Sequence, residues 1–199
     1  MPALRAIRAD YTRNTFTVYQ AYDDRIADAA LAAGTFVPPF SSRRMTWIKP
    51  SFLWLMARSQ WGRRSGQTRI LAVRLSLFGW SAALSEAVLT AYDPRAHENP
   101  EAWSEAFEAA PIHAQWDPER SLRGSKQEWR SLQIGVSRRR IEDYTGSWIR
   151  GIEDLTPRVR KMHDLLRRGR TAEARRHLPT ERLWHPPASI ARRLSMDSP

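Results

Sequence analysis

Cysteine is missing altogether from the 199 residues. That excludes a disulfide framework and any thiolate metal site, and it suits a cytoplasmic protein. Lysine is nearly missing too: of 32 basic residues, only Lys49, Lys126 and Lys161 are lysines. The nine glycines form no GxGxxG turn and no phosphate-cradling P-loop, and there is no GxSxG elbow. ATP hydrolysis and serine-hydrolase chemistry are therefore disfavoured. His97, His113, His163, His177 and His185 are scattered, with no HxxxH pair beside a carboxylate, so no metal is expected. No stretch approaches the roughly 18 apolar residues of a membrane span. The opening MPALRAIRADYTRN holds no apolar run of signal-peptide length, so secretion is not expected either.

Arginine is what the chain has in excess. The formal net charge is +11 and the pI is near 11.0, a field that attracts phosphates, nucleic acid or anionic cofactors. Arginine used for solubility, or a high-GC genome, would give the same count. From Arg150 onward 12 arginines and lysines face 6 acids, so that portion supplies +6 of the +11. A hydrophobic content of 42% with nine tryptophans can build a core, and disorder is not the default. The length predicts one domain, or one domain with an appendage.

Thr15 to Tyr22 alternates and is rich in β-branched and aromatic residues, which predicts a strand. Asp23 and Asp24 offer an N-cap to an alanine-rich helix closed by Gly34. A short strand is expected at Met45 to Ile48. A helix should open at Pro50 and run to about Gln60. Arg69 to Leu75 reads as a buried strand and Gly79 to Tyr92 as a helix. Asp93 to Ala110 resembles a surface insertion holding a short helix at Pro100 to Ala109. Strands at Ile112 to Trp116 and Trp129 to Val136 flank the turn-like DPERSLRGSK. A helix is expected over Arg138 to Ile152 with Tyr144, Trp148 and Ile149 on one face, and another from Pro157 to about Arg168. Thr171 to His177 forms a short helix, and the tail from Pro179 either wraps the core or is disordered. The order predicts a single α+β domain, residues 1–156, whose small mixed or antiparallel sheet is flanked by helices. A basic helical extension, 157–199, packs on it.

The stretch from Met45 to Ser76 organises these expectations, because cationic and polar groups are set among tryptophans there. Lys49, held extended by Pro50, can meet a phosphate at a helix N-terminus, where unpaired N–H groups favour anions; the alternative is a solvated lysine. Ser51 caps that helix or donates to the same phosphate. Arg58 shares a face with Ser51 and can clamp an anion or form a structural ion pair. Trp61 can stack on a base or belong to the core. Gln20 and Tyr22 share a strand face with Val18, so Gln20 is either a satisfied buried group or part of a site. Arg8 is a candidate phosphate ligand. Gln133 is either a satisfied polar group or a partner of a ribose hydroxyl. Asp117 and Glu119 are expected in a turn and in salt bridges. Arg138, Arg139 and Arg140 are a solvated helix face or a nucleic-acid contact.

The blocks IRADY, VYQAY, ADAALAAGTFVPPF, RMTWIKPSFLWLMARSQW, QWDPER, SLQIG and WIRGIEDLT follow one another between Ile7 and Thr156. In that order they resemble the family known as domain of unknown function 4291, which carries no biochemistry with it. VYQAY before a helix closed by Gly34, a later strand RILAVRL and the late SLQIGVSRRRIEDY also resemble the ADP-ribosyltransferase and RNA 2′-phosphotransferase superfamily. Gln20 stands where that superfamily has Arg or His, and its Ser-Thr-Ser run and acidic doublet are missing. The resemblance implies a transferase that uses NAD to modify a nucleic acid or other acceptor. Gln133, Lys49 and Gln20 would be catalytic, with Glu128 the alternative to Gln133. Arg8, Tyr22, Ser51, Arg58 and Trp61 would hold the dinucleotide. The competing expectations are a nucleic-acid-binding module without catalysis, and a transferase acting on another phosphorylated small molecule.

Overall fold

The computed structural model describes residues 3–197. β2 (Thr15–Tyr22), β4 (Arg69–Ser76) and β8 (Ile149–Asp154) form an antiparallel sheet in the order β2-β4-β8. β3 (Thr46–Ile48), β7 (Lys126–Val136), β6 (Ile112–Arg120) and β5 (Ala87–Leu89) form a second, in that order, with β5 parallel to β6. A third pairing joins β1 (Ile7–Ala9) to β9 (Arg182–Trp184). The two larger sheets touch through one backbone hydrogen bond, in which Tyr19 N–H donates to Lys49 C=O at 2.7 Å. This is a single α+β domain.

β2 and β4 are apolar on both faces because both are covered. On one side Val18, Leu71, Val73 and Leu75 join Ile48, Ile112, Ile134 and Val136 of the second sheet in the main core. Trp80 and Leu84 of α3 (Leu77–Ser85) complete it. On the other side Tyr19, Ile70 and Ala72 meet Phe52, Leu55 and Met56 of α2 (Phe52–Ser59) and Val159 and Met162 of α6 (Thr156–Arg167). The first helix, α1 (Asp24–Ala33), is capped by Asp23, and Gly34 closes it in the left-handed region at φ 71°. The expected helix of the insertion is α4 (Pro100–Ala109), capped by Asn99.

Three expectations need correction. The helix expected over Gly79 to Tyr92 spans Leu77–Ser85 and gives way to β5, whose three residues are buried against β6. DPERSLRGSK is half strand: β6 runs to Arg120, β7 starts at Lys126, and the turn is confined to residues 121–125, with Gly124 at φ 87°. Pro118 is tolerated because the ladder shifts register there, a break that removes the need for its missing N–H. The helix expected over Arg138 to Ile152 is only α5 (Ile141–Asp143) and a π-helical turn (Tyr144–Trp148), and β8 follows. The free edge of β4 decides this, since pairing with it satisfies a row of backbone groups that a helix would leave unmet. Of the two readings of the tail, the wrap holds over the described residues to 197: after α7 (Thr171–Arg175) come β9 and α8 (Ala188–Arg193), and Trp184, Ile190 and Leu194 lie in the main core.

Trp184 packs its ring 5.4 Å from Phe16, which is stacked 4.2 Å from Trp80. Trp184→Ala should therefore cost about 3–5 kcal/mol in urea unfolding. A loss below about 1 kcal/mol would mean that the tail only drapes over the surface.

Candidate functional site

A cleft of about 680 Å³ opens where the two sheets meet. β2 supplies one wall through Gln20 and Tyr22, β6 and β7 the other through Gln115, Asp117 and Gln133, and α2 overhangs both with Trp54 and Arg58. Successive side chains of a strand alternate between faces, so Gln115 and Asp117 point the same way, and Gln115 stands opposite Gln133 in the β6–β7 ladder.

Lys49 lies at the floor. Its side chain is 2% exposed, its Nζ is 2.7 Å from Asp117 Oδ2, and it sits 3.3 Å from the centroid of the Trp54 ring. Asp117 Oδ1 accepts from Gln115 Nε2 at 2.9 Å, which fixes the carboxylate from its other side. Burial drives the Lys49 ammonium down to about 7, against the opposing pull of Asp117. A buried lysine brought down near neutrality beside a carboxylate can move a proton at physiological pH.

The other wall is fixed by hydrogen bonds. Gln20 Nε2 donates to Tyr22 Oη and Thr46 Oγ1, both at 2.8 Å, and Tyr144 O–H donates to Gln20 Oε1. Gln20 is thus a satisfied buried group that pins β2 to β3. Burial raises the Tyr22 phenol to about 12, so it stays neutral and serves as a hydrogen-bonding wall. At the mouth, Arg44 and Arg58 line the cleft, and among the described residues neither is in an ion pair.

Of the residues singled out from the sequence, Gln20, Tyr22, Lys49, Arg58 and Gln133 line this cleft, and the others lie elsewhere. Arg8 is on β1, opposite Leu183 of β9. Ser51 accepts from Trp54 N–H at 3.1 Å, capping α2, and donates to Glu119 Oε1 at 2.8 Å. Trp61 packs against His163, with ring centroids 5.9 Å apart, and against Phe52. Glu128 is exposed on β7, outside the cleft. Arg138 is exposed, Arg139 donates to Ala109 C=O at 2.7 Å, and Arg140 is held by Glu86 and Asp143.

Two local readings change. Lys49 was expected to meet a phosphate at the N-terminus of α2, but Glu181 Oε1 takes that place, accepting from Phe52 N–H at 2.8 Å. Asp117 and Glu119 were expected in a turn and in salt bridges; both are on β6 rather than in a turn, and Asp117 makes a salt bridge, to Lys49. Asp117, Gln115, Arg44 and Trp54 were not anticipated as cleft residues. The i, i+2 spacing of Gln115 and Asp117 was the available signal, masked by Pro118.

The chain matches the model of a protein family described as Domain of unknown function (DUF4291) over residues 6–184. It belongs to the DUF4291 family. The match takes in every DUF4291 residue named above as lining the cleft. No curated protein matches the chain. Among the described residues of this DUF4291 chain, no three His, Cys, Asp or Glu side chains are grouped to hold a metal ion. No helix of the described residues is long and apolar enough to cross a membrane.

Below pH 7 Lys49 is charged in both the folded and the unfolded chain, and its burial penalises the folded state in full. As pH climbs from about 7 towards 10.5, the folded chain sheds a proton that the unfolded chain keeps, so this residue's contribution to stability rises. Subtracting the urea stability of Lys49→Met from that of the unmutated protein should give a difference that grows with pH across that window. A flat difference would mean that Lys49 titrates as an ordinary lysine.

Proposed function

We propose that the cleft is the active site of a transferase of ADP-ribosyltransferase type, with NAD as donor and a nucleic acid as acceptor. The observation that carries the proposal is the Lys49–Asp117 pair, buried beneath Trp54 in a hollow of nucleotide size with two unpaired guanidiniums at its mouth. Ligand pockets commonly span about 300–1,000 Å³, and a cleft of about 680 Å³ falls within that range. Arg44 and Arg58 suit a pyrophosphate. The amides of Gln115 and Gln133 suit ribose hydroxyls, and Trp47 and Trp54 offer apolar area to flat rings. The choice of NAD among phosphorylated ligands rests on the resemblance of VYQAY, RILAVRL and SLQIG to the superfamily.

The dinucleotide supplies an ADP-ribosyl group joined to nicotinamide by a glycosidic bond. Transfer breaks that bond, leaves its electron pair on nicotinamide, joins C1′ to a nucleophilic atom of the acceptor and releases the acceptor's proton. Asp117, held on one side by Lys49 and on the other by Gln115, opposes positive charge growing on the ribose. Neutral Lys49, its ammonium brought down to about 7 by burial, receives the proton. Gln20 acts as a positioning residue, keeping β2 against β3. With no cysteine to protect, such an enzyme suits the cytoplasm.

A nucleic-acid-binding module without catalysis would use the same +11 charge. It would gain nothing from a lysine 2% exposed beside a carboxylate, because stripping both charges of water is costly. Nicotinamide release with an oligonucleotide acceptor, together with calorimetric binding of NAD, tests the proposal. Asp117→Asn should lower kcat by about 10²-fold or more, and Arg58→Gln should raise KM with kcat nearly unchanged. Absence of both NAD binding and nicotinamide release from the unmutated protein would refute it.

A further inference from the structure

Behind the overhang of α2 lies a second hollow of about 420 Å³, whose walls include Trp54, Arg58, Gln60, Arg64, Arg120 and Gly124. Trp54 and Arg58 also line the main cleft, so the two hollows share a wall. Three guanidiniums converge here and no carboxylate lines the space. Among the described residues none of the three arginines is in an ion pair. Arg120 Nε is buried with no hydrogen-bond partner, and Arg120 Nη1 makes only a 3.3 Å contact with Gly124 C=O.

Gathering three like charges is unfavourable, and a buried N–H without an acceptor adds about 1–3 kcal/mol. The nearby carboxylate does not relieve this: Glu119 Oε1 accepts from Ser51 Oγ and from the Arg120 backbone N–H. The chain turns on two sides of the hollow, at the C-cap of α2 and in the β6–β7 turn. Gln60 and Trp61 hold left-handed φ values of 53° and 59°, and Gly124 turns the opposite rim at φ 87°.

We infer that this hollow seats a backbone phosphate of a single-stranded nucleic acid whose neighbouring nucleotide enters the main cleft past Trp54. The inference rests on the proposed transfer reaction for its acceptor, but not for its binding. A phosphate supplies acceptors for Arg64 and for the bare Nε of Arg120, while Arg58 in the shared wall stays with the pyrophosphate, and the tryptophan shared by both hollows gives an adjacent base a stacking surface. A free anion would need only the hollow; a strand explains why it opens beside the cleft.

The test is fluorescence anisotropy of a short labelled single-stranded oligonucleotide, without NAD, across a salt series. Arg64→Gln and Arg120→Gln are compared with Arg25→Gln on α1, which removes the same charge from elsewhere. Arg64 is exposed, so its variant keeps the test valid should Arg120→Gln fail to fold. Each pocket variant should weaken binding about tenfold and flatten the slope of log K against log salt by about 0.7, the loss of one single-strand phosphate contact. Weakening no greater than that of Arg25→Gln would overturn the inference. So would arginine-dependent binding of inorganic phosphate with no binding of the oligonucleotide, or an equal loss of NAD affinity, which would make the hollow part of the donor site. If the unmutated protein fails to bind NAD yet binds the strand with this arginine dependence, the transfer reaction falls and the phosphate seat stands.

Discussion

The burial of Lys49 against Asp117 constrains more of this molecule than any other contact. Removing an ammonium and a carboxylate from water costs several kcal/mol per ion, and the protein offsets that cost with a 2.7 Å ion pair, a tryptophan face over the ammonium and a glutamine amide on the free carboxylate oxygen. The four residues come from a strand exit, a helix and a distant strand. The backbone of the same lysine accepts from Tyr19 N–H and so ties one sheet to the other. Lys49 is therefore both the floor of the cleft and the hinge-pin of the fold. An isolated hydrophobic residue there would pack as well, and the retention of a charged pair is what gives the site its chemical meaning.

The positive charge is distributed unevenly in what it does. Arg5, Arg69, Arg95 and Arg140 are engaged by Asp93, Asp154, Asp197 and Glu86 among others, and they tie strands, loops and the carboxy-terminal strap together. Arg44, Arg58, Arg64 and Arg120 surround the two hollows without such partners. A net charge of +11 thus becomes a local field at one face of α2, where it can draw in and orient phosphates.

The parts of the fold that could be read from the sequence were those with strong local signals. Thr15 to Tyr22 and Arg69 to Leu75 carry the β-branched and apolar pattern of buried strands, and Asp23 and Ser51 are the caps that α1 and α2 use. Where long-range pairing decided, local reading failed. Ile149 to Asp154 has helical neighbours but is taken by the open edge of β4, and Ala87 to Leu89 leaves a helix to lie beside β6. The cleft was half legible. Lys49, Arg58, Gln20, Tyr22 and Gln133 were visible as polar groups in apolar surroundings, whereas the partner of Lys49 lies 68 residues away, and nothing local marks Asp117 as that partner. Ser51 and Trp61 sit beside the cleft in sequence but turn to a cap and to a second core.

With only three lysines in the chain, the central claim can be read directly from one labelled side chain. Protein carrying ¹³C at the lysine ε-methylene should give a resonance, assigned to Lys49 by its loss in Lys49→Met, that titrates near pH 7 and shifts when NAD is added to saturation. Three lysines titrating together near the ordinary value, with no response of Lys49 to NAD, would contradict the account.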